Sequence, residues 1–395
     1  MPQKINVWIN EPKAMSKDIE FSAIVEVPNN PNKKLWYLLP LCFSDYVTET
    51  HDPYLLGTIF FAMIKGQNIH IHGKVSSSLL RNLEDFQQYW ALWHPDLFKK
   101  VEVSVEKEIE EDQKSPPEAI CAFSGGVDSC FTALRHSYKG IQYNRNLTTG
   151  LIIHGFEVPL EQEAIFQESF KRAKILLSSL KIDLVPMKTN IQEFTINWLY
   201  DYMGGLASCL SLLSKKFSTG LIGGSRANTT STTIAFPWGS NAISDQLLSS
   251  HSFQIVNDGG FFTRTEKIAE LAKYWPESNK YLQVCWLRND KIGNCGKCAK
   301  CIVNILNYKA NLFNPPECFP GNVTENEILN MKVQYITQIE DYIEILEQAY
   351  KNGLKKEKWV KALEFVLLNE NSRKIQLDWQ KYLLEKFKMT FIQQI

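Results

Sequence analysis

The sequence predicts an α/β fold organised on a doubly wound parallel sheet, with an α+β domain in front and a helical extension behind. Two patterns carry this expectation. From about residue 118, short apolar runs alternate with amphipathic helical stretches, the periodicity of strand–helix–strand units that cover both faces of a parallel sheet. At the first strand-to-helix passage stands Ser124-Gly125-Gly126-Val127-Asp128-Ser129. Sheets of this class hold their ligands at the carboxyl ends of the strands.

Residues 1–115 form the first expected domain. Ile19–Val27 and Lys34–Leu41 read as strands around the turn-rich stretch Pro28–Lys33. Tyr54–Gly66 reads as a buried helix closed by its glycine, Asn68–Val75 alternates like a strand, and Leu79–Trp93 has helical spacing. Val105–Glu118 is charged and then broken by Pro116 and Pro117, which makes it the expected linker. Within the second expected domain, 118–320, the strands are Ala119–Phe123, Leu147–Phe156, Ile182–Asn190 and Thr219–Ser225. Between them lie the helices Cys130–Tyr138, Glu161–Leu180 and Trp198–Phe217. Residues 325–395 read as an almost wholly helical extension.

Composition narrows the function classes. Of 395 residues, 43 are Lys or Arg and 43 are Asp or Glu, so there is no basic surplus and no strong nucleic-acid binding is expected. No apolar run reaches the ~20 residues of a membrane span. The opening Met1–Lys13 lacks the apolar core of a signal peptide, so a cytoplasmic protein without membrane contact is expected. There, its nine cysteines are not a disulfide framework.

Glycines at 125 and 126 permit positive φ and let a ligand approach the main chain. The amides of this loop and of the helix it opens favour a polyanion. Ser124 and Ser129 offer hydroxyl donors, while Asp128 suits Mg²⁺ or a helix cap better than direct contact with phosphate. There is no Walker lysine. The loop resembles the SGGxDS signature of the PP-loop ATP pyrophosphatases, which implies the adenine nucleotide alpha hydrolase-like form of the fold. It further implies that ATP binds with its β- and γ-phosphates on Ser124, Gly125, Gly126, Val127, Asp128 and Ser129, with Mg²⁺ beside them. A substrate oxygen then attacks the α-phosphorus. Ser124, Asp128 and Ser129 are thus the expected catalytic group, and the resemblance places adenine against His154, Gly155 and Phe156, with Lys188 at the next strand end.

Cys285, Cys295, Cys298 and Cys301 follow as C-x9-C-x2-C-x2-C, a spacing that lets four thiolates converge on a structural Zn²⁺. An iron–sulfur cluster or a redox pair are the competing readings. Cys42, Cys130, Cys209 and Cys318 read as buried bystanders. The two motifs together resemble the 7-cyano-7-deazaguanine synthases and their QueC-like relatives, over roughly residues 118–315. That branch adenylates 7-carboxy-7-deazaguanine and lets an amine displace AMP. The added front and rear segments resemble extended relatives found in bacterial antiviral defence operons. There the acceptor is a protein amine in place of the ammonia that leads to amide and nitrile. The branch also implies a homodimer.

Between Gly223 and Phe253 runs a long hydroxyl-rich loop, of the kind that is uncommon unless functional. Phe236 and Trp238 are candidates to stack on a flat heterocycle, and Gly239, Ser240 and Asp245 to meet its edge. Arg226, Arg264 and Lys267 are candidates to hold carboxylate or phosphate charge. Two other readings stay open: a non-catalytic ATP-binding scaffold or sensor, and a PP-loop enzyme of tRNA modification.

Overall fold

The computed structural model describes residues 4–110, 117–137, 144–225, 238–285, 293–334, 336–369, 371–378 and 380–381. The chain divides into two compact units, Met1–Asn228 with Pro237–Gly260, and Thr229–Phe236 with Phe261–Ile395. Among the described residues no helix is long and apolar enough to cross a membrane.

Among the described residues, the first unit is α/β, built on one large, mixed and mostly parallel sheet of eleven strands. Its elements are β1 (Ile5–Ile9), β2 (Lys13–Ala14), β3 (Asp18–Glu26), β4 (Lys33–Pro40), α1 (Asp52–Lys65), β5 (Ile69–Ser76), α2 (Ser77–Trp93) and β6 (Val103–Ile109). They continue as β7 (Ala119–Ala122), α3 (Val127–Ser137), β8 (Leu147–His154), α4 (Glu163–Ser179), β9 (Asp183–Thr189), α5 (Trp198–Ser211), β10 (Thr219–Gly223) and β11 (Gln254–Asp258). The order across the sheet is β11-β10-β7-β8-β9-β4-β3-β1-β5-β6, with β2 paired to β3.

From β11 to β9 all neighbours are parallel. Strand order reverses between β7 and β10, the geometry that opens a crevice at the strands' carboxyl ends. The central strands read as apolar runs because both their faces are covered. Ile120, Leu151, Val185, Met187 and Ile222 join α1 and α5 in the main core. On the other face, a Cβ added to Gly150 would lie 2.4 Å from Leu177 Cδ1 on α4.

The sheet does not stop where the sequence suggested a linker. Val103–Ile109 is the edge strand β6, parallel to β5, and its exposed Glu106, Lys107 and Glu108 are the charges that protect an edge. The N-terminal α+β segment is joined to the parallel part by β4 on β9, antiparallel through Tyr37↔Thr189 and Leu38↔Lys188. Beyond those pairs the side chains extend the join: Thr189 Oγ1 donates to Trp36 O (2.7 Å), Trp36 N to Asn190 Oδ1 (3.0 Å), and Asn190 Nδ2 to Lys34 O (2.7 Å). Helix α1 packs closely on α5, where an added Cβ on Gly204 would sit 2.9 Å from Leu56 O. Besides β6, three strands lie outside the sequence reading: β1 in the middle of the N-terminal half, the two-residue β2 on β3, and β11 at the far edge. Helix α5 ends at Ser211, earlier than expected.

The second unit is helical. It contains α6 (Arg264–Tyr274), α7 (Ser278–Tyr281), α8 (Ala299–Ala310), α9 (Glu325–Leu329), α10 (Ile336–Lys351) and α11 (Lys358–Leu368). Capping boxes at Thr263 and Thr324 start α6 and α9. Buried Ile305, Tyr308, Tyr342, Ile345, Leu363 and Val366 form its core. The extension expected to be almost wholly helical after residue 325 is interrupted between α9 and α10. The cysteine motif belongs to this unit with the C-terminal helices.

Candidate nucleotide site and metal centre

The Ser124–Ser129 loop leaves β7 and enters α3 at the reversal of strand order. Gly125 has φ +75°, a backbone that a Cβ would strain. Gly126 N donates to Ser124 Oγ (3.4 Å), and Ser129 Oγ donates to Gly126 O (3.1 Å). Ser124 is exposed, Asp128 half-buried and Ser129 buried. From the neighbouring strand, Gly223 comes so close that an added Cβ would meet the Asp128 carbonyl at 2.7 Å. The arrangement is a strand-to-helix cradle whose first helical amides have no acceptor within the helix.

A residue that sequence reasoning missed anchors this cradle. Asp258, at the end of β11, is 4% exposed. Its carboxylate accepts from Thr132 Oγ1 (3.0 Å), Arg135 Nη1 (2.8 Å) and His136 Nε2 (3.0 Å), and its carbonyl accepts from Gly224 N (2.7 Å). Burial works to raise its pKa, but His136, Arg135 and Thr132 together outweigh it and hold the carboxyl below the ordinary value. One residue thus fixes both, α3 through its carboxylate and the loop after β10 through its carbonyl. The only hint in the sequence is a carboxylate closing a short apolar run before two glycines.

The substrate-loop candidates separate. Arg226 and Phe236 lie outside the described residues. Gly239 donates its N–H to Leu199 O (3.0 Å), and a Cβ there would meet Tyr202 Cε1 at 2.5 Å. Asp245 is fully buried; it accepts from Ser240 Oγ (2.6 Å), Asn241 N (3.0 Å) and Asn257 Nδ2 (2.9 Å). Burial pushes its carboxyl up to about 6 against those three bonds. Asp245 is therefore a brace for the loop, and Trp238 and Ser240 are the part-exposed members. The Tyr202 phenol, also missed, bonds to Ser240; desolvation raises its pKa, followed by the charge of Asp245 and, more weakly, of Asp128. Arg264 and Lys267 stand on α6 in the second unit, Lys267 fully buried.

Around the expected adenine position, Gly155 has φ +103°, and an added Cβ would overlap Thr189 O at 1.9 Å. The His154 ring is buried, stacked on Phe166 at 4.3 Å and bonded through Nε2 to Pro159 O (2.8 Å). Desolvation lowers its basicity. It holds the loop after β8, so the main chain there and Phe156 remain the candidates for base contact. Lys188 pairs with Glu163 at 2.8 Å.

In the second unit, Cys285, Cys295, Cys298 and Cys301 hold their sulfurs within 4.8 Å of one another. The Sγ–Sγ separations are 3.8 Å for 285–298 and 3.9 Å for 295–301, close to the ~3.8 Å edge of a tetrahedron with Zn–S bonds of about 2.3 Å. Gly296 turns the chain at φ +73°, and the N–H of Cys298 points at Cys295 Sγ (3.2 Å). A hydrogen bond from Cys301 pulls the Cys298 thiol down to about 5. Asn294, unforeseen in the sequence, holds the set: Oδ1 accepts from Val284 N and Cys285 N, and Nδ2 donates to Leu282 O and Cys318 O. The four residues fit a closed, four-coordinate thiolate site. Of the bystanders, Cys130 and Cys209 are buried, but Cys42 is exposed and Cys318 half-buried; neither is a core residue.

No protein-family model, curated protein or solved structure matches this chain.

Proposed function

We propose that this protein is an ATP pyrophosphatase of the PP-loop kind, which adenylates a 7-deazaguanine carboxylate and passes the acyl group to an amine. The observation that carries the reading is the Ser124–Ser129 loop at the reversal of strand order, with Gly125 left-handed and α3 opening onto it. Loop and first-turn amides bind the β- and γ-phosphates, Ser124 and Ser129 add hydroxyls, and Asp128 would hold Mg²⁺. That ion supplies charge neutralisation for the departing pyrophosphate. Asp258 positions α3, and the braced loop at 238–245 presents Trp238 and Ser240 to a flat acid. Amide formation needs no strong base, since adenylation has already made the leaving group. The four cysteines hold structural zinc.

The test is pyrophosphate and AMP release by the full chain with ATP, Mg²⁺ and 7-carboxy-7-deazaguanine. Asp128→Ala should lose at least ~100-fold in rate while melting within a few degrees of wild type. ATP bound tightly with no release would sink the catalytic reading and favour a scaffold or sensor.

A further inference from the structure

A crevice in the first unit is walled by Phe60, Phe156, Phe194, Trp198, Asp201 and Tyr202. It has room for about one molecule of water's size. One carboxylate in its wall is left half satisfied. Asp201 is 2% exposed, and its Oδ2 accepts from Ile196 N (2.7 Å) and Asn197 N (2.9 Å). Its Oδ1, equally buried, has no hydrogen-bond partner among the described residues. A buried acceptor without a donor is costly, and a ligand that brings the donor removes the cost.

The surroundings narrow what that ligand is. A divalent cation wants six or more oxygen ligands, and here one carboxylate shares the wall with the hydroxyl-bearing Thr195 and Tyr202 and with aromatic and aliphatic side chains. A compact N–H cation suits both features, since it donates to the carboxylate and is attracted by aromatic faces. Trp198 in the wall is 36% exposed, a partly apolar opening that accommodates a carbon stem.

We propose that the Asp201 crevice binds a primary ammonium group, either ammonium itself or the –NH₃⁺ end of a carbon-bearing amine. The proposal rests on the amide-forming reading above and assigns the acceptor's subsite within it. Phe156 and Tyr202 belong to both the crevice and the candidate nucleotide region. In the transfer, the ammonium loses one proton to water and the freed lone pair forms the C–N bond to the acyl carbon. The C–O bond to AMP breaks with its electron pair on the phosphate oxygen, and the second surplus proton leaves nitrogen for water.

The full chain is melted at constant ionic strength in NaCl, NH₄Cl, methylammonium chloride or tetramethylammonium chloride. A stabilisation of a few degrees by ammonium or methylammonium, absent with tetramethylammonium, is expected. Ammonium ahead of methylammonium identifies free ammonium as the acceptor; the reverse order identifies a carbon-bearing amine. Asp201→Asn keeps an oxygen for Ile196 N and Asn197 N but puts a donor in place of Oδ1. It should retain wild-type circular dichroism and lose the ion-specific stabilisation. In amine-dependent AMP release, the half-saturating amine concentration should rise about tenfold or more in this variant. No ion-specific shift in wild type, or the same shift and amine dependence in Asp201→Asn, overturns the site. Pyrophosphate release by wild type without amine separates the two claims: its absence removes adenylation, while the melting series still decides the crevice.

Discussion

Single atoms decide much of this molecule. Gly155 occupies a backbone region that L side chains avoid, and there is no space for a methyl group against Thr189 O. Gly155→Ala should cost roughly 2–4 kcal/mol, readable as a drop in the urea midpoint at unchanged m-value. Asp245 gives a pH signature. Its folded value of about 6 lies above the ordinary 3.8, so its contribution favours folding fully below pH ~4 and is lost as pH rises through 6. Asp245→Asn mimics the protonated acid. Stability of wild type relative to that variant should therefore fall by roughly 2 kcal/mol between pH 4 and pH 7. A flat difference across that range would show that Asp245 ionises as freely folded as unfolded. Neither Asp258 nor Asn294 was legible beforehand. Asp258 acquires its meaning from Thr132, 126 residues away in sequence, and no local pattern encodes such a partner.

Elements were legible in proportion to how far each one's burial follows a simple period. Strands β7, β8 and β10 are largely buried on both faces and read as apolar runs, while β9 and β4 read clearly because Val185, Met187, Leu35, Tyr37 and Leu39 alternate inward. By contrast, β1 is five residues amid polar neighbours, and β11 buries only Ile255 and Asp258 of its five, so period-based reading passed over both. The charge and prolines after Val105 suggested a linker, whereas the charge marks an exposed edge. The cysteine motif was legible because its spacing alone brings the thiolates together; Asn294, which supports them, was not. About one zinc per chain is expected by elemental analysis, and iron with sulfide would overturn the structural-zinc reading. Asn294→Ala removes four hydrogen bonds to backbone groups and should weaken zinc retention by about 10–100-fold against a competing chelator.

At the scale of the first unit, the sheet ignores the boundary that composition suggested. Leu56 and Phe60 of α1 cover α5, and β4 covers the end of β9. A chain beginning at residue 117 would expose both surfaces. It should appear in the insoluble fraction or lack near-ultraviolet circular dichroism; a monomeric, cooperatively melting product would mean that the parallel part folds by itself.

The narrow seam between β4 and β9 has a mechanical consequence. Two backbone pairs and three side-chain bonds stitch one long ribbon across its middle, and Pro186 sits upstream where, among the described residues, no strand adjoins its outer side. The packing of α1 on α5 backs this line, so a crease would start in the strand pairing itself. Loss of the Asn190 amide should speed deuterium uptake at Trp36 before strands further from the crease are affected.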